Sequence, residues 1–142
     1  IDPNIALRVW RAEGGMNYQS KIKSGNQKKY RGYEASYGPF QLYTGGGLGN
    51  EYQKKYGVDL RKDNTTSGIK RQINFALSKA KKVGWGPWYG AANVGIKDRQ
   101  GLNYKDNDNR IYNPIKPQPK TTSADSNIIT FLKKVMQVTN LM

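Results

Sequence analysis

The sequence predicts an α+β domain, mostly α, with a small β-hairpin lobe. Two long amphipathic stretches, regular Gly and Pro punctuation, and the absence of any helical stripe over residues 16 to 42 carry that prediction. The first stretch is Pro3 to Glu13, with Asp2 as N-cap and Pro3 at the first helical position. Ile5, Val9, Ala12 and Glu13 share one face of it, and Gly14-Gly15 stops it. The longest stretch is Thr65 to Lys82, striped by Ile69, Ile73, Ala76, Leu77 and Ala80 and followed by Gly84 as a cap. Its basic end, Lys79, Lys81 and Lys82, complements the helix dipole.

Between these helices the period changes. Tyr18, Ser20 and Ile22 alternate with Asn17, Gln19 and Lys21, Ser24-Gly25-Asn26 turns the chain, and Tyr30 to Ala35 reads as the return strand. Lys21, Lys23, Lys28, Lys29 and Arg31 make this hairpin strongly basic. Thr44-Gly45-Gly46-Gly47 is a turn, after which Leu48, Tyr52 and Tyr56 recur at helical spacing up to Gly57. Pro87 opens a short helix to about Gly95. Residues 97–124 are polar and Pro-rich, a surface loop or linker. Asp125 or Ser126 caps a last helix, over 125–142, striped by Ile128, Phe131, Leu132 and Val135. The whole reads as one domain, 1–142, whose motif-bearing part is 1–96.

Composition narrows the chemistry. The 142 residues contain no cysteine and no histidine, which excludes disulfides, thiol nucleophiles, a Ser-His-Asp triad and the usual Cys or His metal sites. No metal and no cofactor is expected. Proton transfer falls to Asp, Glu, Lys or Tyr, and the carboxylates number only ten. The net charge of +14 draws the chain towards polyanions, whether nucleic acid, anionic membrane or bacterial envelope polymers. No apolar run reaches the roughly 20 residues of a membrane span. The start at Ile1, with no signal peptide, fits a processed product or a domain of a longer polypeptide.

Glu13 stands out among the carboxylates. It sits on the apolar face of the first helix, in its last turn. Burial and the negative end of the helix dipole both favour its protonated form, which is what a general acid requires. The bland alternative is a surface or capping glutamate. Downstream, Tyr37-Gly38-Pro39-Phe40-Gln41-Leu42 combines a tight turn with an aromatic plug and an amide that both donates and accepts. Further on, Gly84-Trp85-Gly86-Pro87-Trp88-Tyr89-Gly90-Ala91-Ala92-Asn93 interleaves aromatics with glycines. Those rings either pack in the core or form a wall on which sugars stack.

In this order, Glu-Gly-Gly, Gly-Pro-Phe-Gln and Ala-Ala-Asn-Val-Gly resemble the motifs of the lysozyme superfamily. The similarity is greatest to lytic transglycosylases and to the peptidoglycan-cleaving domains of phage virion proteins, and it covers roughly residues 1 to 96. The resemblance implies a lysozyme-like fold with Glu13 as catalytic acid/base. Gln41 becomes a groove residue, Asn93 the asparagine of the third motif, and Tyr37, Trp88 and Tyr89 further substrate contacts. The tyrosine of the third motif falls on Ala92, and Tyr89, one turn earlier, is positioned to supply the ring instead. The implied reaction cleaves the β-1,4 bond between N-acetylmuramic acid and N-acetylglucosamine and leaves a 1,6-anhydro end.

Two alternatives remain open at this point. Glu34 is either a solvated strand-end carboxylate or the second carboxylate of a hydrolytic muramidase. Such pairs lie about 5 to 5.5 Å apart in retaining and roughly 6.5 to 9.5 Å apart in inverting enzymes. The basic hairpin with Tyr18, Tyr30 and Tyr33 is either a solvated face or a surface for single-stranded nucleic acid. The partners expected are peptidoglycan glycan strands and the anionic envelope, with the chain part of a larger virion protein. The setting expected is a phage particle acting in the host periplasm, or else a secreted bacterial enzyme.

Overall fold

The computed structural model describes residues 1–14, 35–103 and 123–138. The hairpin expected over 16 to 35 therefore lies outside the described residues apart from Ala35, as do Glu34 and the basic tyrosine-bearing surface. Among the described residues the chain is mostly helical with one small antiparallel pair, as the α+β reading required. The elements in order are α1 (Pro3–Ala12), β1 (Ser36–Tyr37), β2 (Leu42–Tyr43), α2 (Leu48–Tyr56), α3 (Thr66–Val83), α4 (Tyr89–Asn93) and α5 (Ser123–Val138). No helix among the described residues is long and apolar enough to cross a membrane.

Helix α1 forms as its sequence dictates. The Asp2 side chain accepts from the Asn4 amide at 2.8 Å, Pro3 supplies a fixed φ, and Glu13 is the C-cap. Its buried set is wider than one stripe, because Ala6, Leu7 and Trp10 are buried along with Ile5 and Val9. The reason is that α1 is covered from two sides, by α5 and by α4. Arg8 reaches α4 as well, donating to the Val94 carbonyl at 2.6 Å.

The strand pair lies where no strand was expected. Ser36 pairs with Tyr43 and Tyr37 with Leu42, so the Gly-Pro-Phe-Gln segment is the turn of this pair. Thr44 extends the pairing by donating to the Ala35 carbonyl through both its amide and its hydroxyl, each at 2.8 Å. Two residues per strand are too few to leave an alternation in the sequence.

Helices α2 and α3 fall where the periodicity put them, with Thr65 capping α3 by accepting from Gly68 at 3.1 Å. A buried polar cluster fastens the two. The Tyr52 hydroxyl donates to Asp63, Arg71 donates to that hydroxyl at 2.9 Å and to Asp63 at 2.7 Å, and Gln72 donates to the Asp63 carbonyl at 2.6 Å. Burial, aided by the neighbouring carboxylate, pushes the Tyr52 phenol well above its ordinary range, so it stays protonated and donates.

Residues 97–103, the start of the expected surface loop, are turns with mostly exposed side chains, tied to the domain at Leu102, which is buried, and at Gly101, whose carbonyl accepts from the Asp2 amide at 2.7 Å. Trp85 donates its indole N–H to the Gln100 carbonyl at 2.9 Å, which gives this segment its anchor. Helix α5 begins at Ser123, so Asp125 and Ser126 are inside it and do not cap it. Leu132, Val135 and Met136 are its buried residues, with Ile128 and Phe131 only partly covered.

The polar cluster is a test of how α2 and α3 are joined. Tyr52→Phe should cost about 1 kcal/mol, the usual worth of one hydrogen bond. Asp63→Ala should cost roughly 2–3 kcal/mol, because it strands the buried Tyr52 hydroxyl and removes the Arg71 acceptor together. Urea unfolding measures both, and equal midpoints for the two variants would contradict the assignment of Asp63 as the hub.

Candidate active site

A cleft of about 710 Å³ opens between the end of α1, the β1–β2 turn, the start of α2 and the start of α4. Glu13 and Ala12 come from α1, Gln41 and Tyr43 from the strand pair, Leu48 and Glu51 from α2, and Trp88 and Tyr89 from the entry to α4. Each of the three sequence motifs thus contributes to one cavity.

Glu13 is half-buried at the C-cap of α1. Its Oε1 accepts from the Gly90 amide at 2.9 Å. Burial pushes the Glu13 carboxyl up from its ordinary value, and the Gly90 N–H pulls it partly back. Among the described residues Gly90 is its hydrogen-bond partner, through one oxygen. The contact requires a glycine at 90. A Cβ there would lie 2.6 Å from Glu13 Oε1 and 2.9 Å from the Ala12 Cβ.

Gln41 takes an uncommon conformation. Its φ is 46°, in the left-handed region that a side chain usually avoids. The turn holds it there: its amide donates to the Gly38 carbonyl at 3.0 Å, and its Nε2 donates to the same carbonyl at 2.9 Å. Gly38 itself has φ 78° and packs so closely on Gln72 that no side chain fits. Strain of this kind costs on the order of 1 kcal/mol and persists only where surrounding contacts enforce it. The Gln41 side chain thus braces the turn through Nε2 and also lines the cleft.

The aromatic segment divides into two roles. Trp85 and Trp88 are buried, 1% and 3% exposed, and their rings meet at 5.8 Å. Trp88 donates its indole N–H to the Phe40 carbonyl at 3.0 Å and stands edge-on to the Phe40 ring at 6.4 Å. Phe40 in turn lies 6.2 Å from Trp10 of α1. These rings are core, and they fix the Gln41 turn against α1 and α4. Tyr89 is different: it is 84% exposed on the cleft wall, an aromatic face open to solvent.

The remaining expected contacts lie elsewhere. Tyr37 is half-buried against the core, and Asn93 is exposed at the end of α4; neither lines the cleft. Glu34 lies outside the described residues. Five lining residues lie outside the three motifs: Ser36, Tyr43, Gly47, Leu48 and Glu51. The spacing of Leu48 and Glu51, three apart on α2, is the one signal that put both on the same side. Glu51 pairs with Lys79 of α3. Among the described residues, the charged groups lining the cleft are Glu13 and Glu51, both acidic, in a chain of net charge +14. Among the described residues no group of three or more Asp or Glu is arranged to hold a metal ion.

Gly90→Ala tests the central contact. The added methyl should destabilise the fold by about 1–3 kcal/mol through overpacking. By pushing the carboxylate off the Gly90 amide it should also raise the Glu13 pKa further, since that hydrogen bond favours the anion. Carboxyl-carbon NMR titration reads the shift, and an unchanged pKa would mean the amide does not hold Glu13.

Comparison with family models, with curated proteins and with solved structures gave no match for this chain.

Proposed function

We propose that this chain is a lysozyme-like peptidoglycan lytic transglycosylase with Glu13 as its general acid/base. The observation that carries the reading is the state of Glu13: a half-buried carboxyl, raised in pKa, fixed by one backbone amide and facing a cleft large enough for sugar rings. In the first step the protonated Glu13 gives its proton to the glycosidic oxygen as the bond from muramic C1 to that oxygen breaks. Positive charge develops at C1. The Glu13 carboxylate then takes the proton of the C6 hydroxyl, whose oxygen bonds to C1 and closes the 1,6-anhydro ring. One carboxyl group suffices for both transfers. Tyr89 offers the stacking face, and Gln41 an acceptor for a sugar hydroxyl or acetamide N–H.

The charged groups among the described lining residues are carboxylates, and N-acetylated sugars carry no charge for them to repel, which supports a glycan in this cleft. The nucleic-acid alternative belongs to the basic hairpin, which lies outside the described residues. The second reading is a hydrolytic muramidase, in which another carboxylate activates water. Glu34 is the candidate for that part, and it lies outside the described residues. The setting that suits either reaction is a phage particle protein acting on the envelope, or a secreted bacterial enzyme.

Digestion of purified peptidoglycan by the wild type and by Glu13→Gln, with mass spectrometry of the products, tests the proposal. Anhydro-muropeptides from the wild type and a loss of at least a hundredfold in the variant are expected, the usual scale of acid catalysis. Reducing ends alone would transfer the assignment to the muramidase. The rate should also fall with rising pH as Glu13 loses its proton, with an apparent pKa above the roughly 4.3 of an ordinary glutamate. Stability follows the same sign: between the unfolded and the raised folded value the native state holds the extra proton, so stability declines as pH rises through that window. Tyr89→Ala, at an exposed position, should leave the unfolding midpoint within about 0.5 kcal/mol. It should raise KM for glycan strands several-fold, from loss of stacking worth about 1 kcal/mol.

A further inference from the structure

We infer that Glu51 selects glycan strands whose peptide stems carry a free ammonium group; the inference rests on the proposed peptidoglycan reading. Glu51 projects from α2 into the same cleft as Glu13, on the side formed with Leu48 and Tyr43. Its side chain is 52% exposed, so it meets whatever occupies that part of the cleft. Glu13 is the other charged residue among the described lining residues, and under the proposed mechanism it meets the strand protonated. Glu51 is then the negative charge that the strand meets among them, with no lysine or arginine beside it in that described lining.

Lys79 is its partner from behind, on α3, with its ammonium also over the Phe75 ring. That pair involves Oε2 of Glu51. A carboxylate has room for about four hydrogen bonds, so Oε1 remains available to a second donor. Partly exposed ion pairs are weak, so Lys79 orients Glu51 without neutralising its demand for a cation. The sugars of the strand have no charge to meet it. The peptide stems do: their diamino acid residue holds an amine that is cationic when free and neutral when acylated.

The test compares kcat/KM on two preparations of one peptidoglycan, with stem amines free and with the same amines N-acetylated. The wild type should favour the free-amine form by about two- to fivefold, the scale of one half-exposed ion pair. In Glu51→Gln that ratio should fall to about one, through KM rather than kcat. In Lys79→Met, which frees Glu51 from its internal partner, the ratio should rise. Equal ratios in all three proteins would overturn the role of Glu51 while leaving glycan cleavage intact. Failure of the wild type to cleave either preparation would overturn the peptidoglycan reading, and this inference with it.

Discussion

The candidate site depends on how closely the start of α4 approaches the end of α1. At Gly90 the backbone comes near enough for its amide to reach Glu13 at 2.9 Å, and any side chain there would collide with the carboxylate and with Ala12. The one contact has two consequences. It fixes a carboxyl that a fraying helix end would leave mobile. It also keeps the pKa of that carboxyl within bounds, because burial raises it and the amide hydrogen bond draws it back. A group that gives and retakes a proton needs both influences, since a carboxyl too strongly neutral is a poor base.

Everything around this contact serves to hold α4 in place. Arg8 ties the end of α4 to α1 through the Val94 carbonyl. Trp88, immediately before α4, is locked by its indole hydrogen bond to Phe40, and Phe40 packs against Trp10 of α1. The aromatic chain from Trp10 through Phe40 and Trp88 to Trp85 therefore runs through all three motifs. Burying rings of this size contributes roughly 2–3 kcal/mol each, ample to hold Gln41 in a left-handed conformation that costs about 1. The strained residue lies in the cleft wall, next to this aromatic chain.

Much of this was legible from local chemistry. The N-cap at Asp2, the stripe of α3 and the stop at Gly57 are local signals, and the chain obeys them. The meeting of Glu13, Gln41 and Tyr89 in one cleft was foreseeable only through the order of the motifs. What sequence could not reveal depends on tertiary packing. Trp88 and Tyr89 are adjacent aromatics of similar character, yet one is buried and the other 84% exposed, because the turn at Pro87 directs one inward. Glu51 belongs to none of the motifs, and only the placement of α2 beside the Gln41 turn brings it into the cleft. The strands at 36–37 and 42–43 are defined by their turn and their register, with too few residues for a period.

The charge distribution joins the site to its proposed setting. The chain carries +14 overall, while the charged groups among the described cleft lining, Glu13 and Glu51, are carboxylates. Screening separates these two fields: at physiological salt a charge in solvent is felt over about 8 Å, so exposed lysines act on a neighbouring polymer more than on a group held in the cleft. Under the proposed reading, the excess of basic residues draws the protein to an anionic envelope, and the cleft carboxylates face the uncharged sugars of the strand. The net charge thus describes attraction to a polymer, whereas the local charge beside a ligand follows from which side chains the fold brings to the cleft, Glu51 of α2 among them.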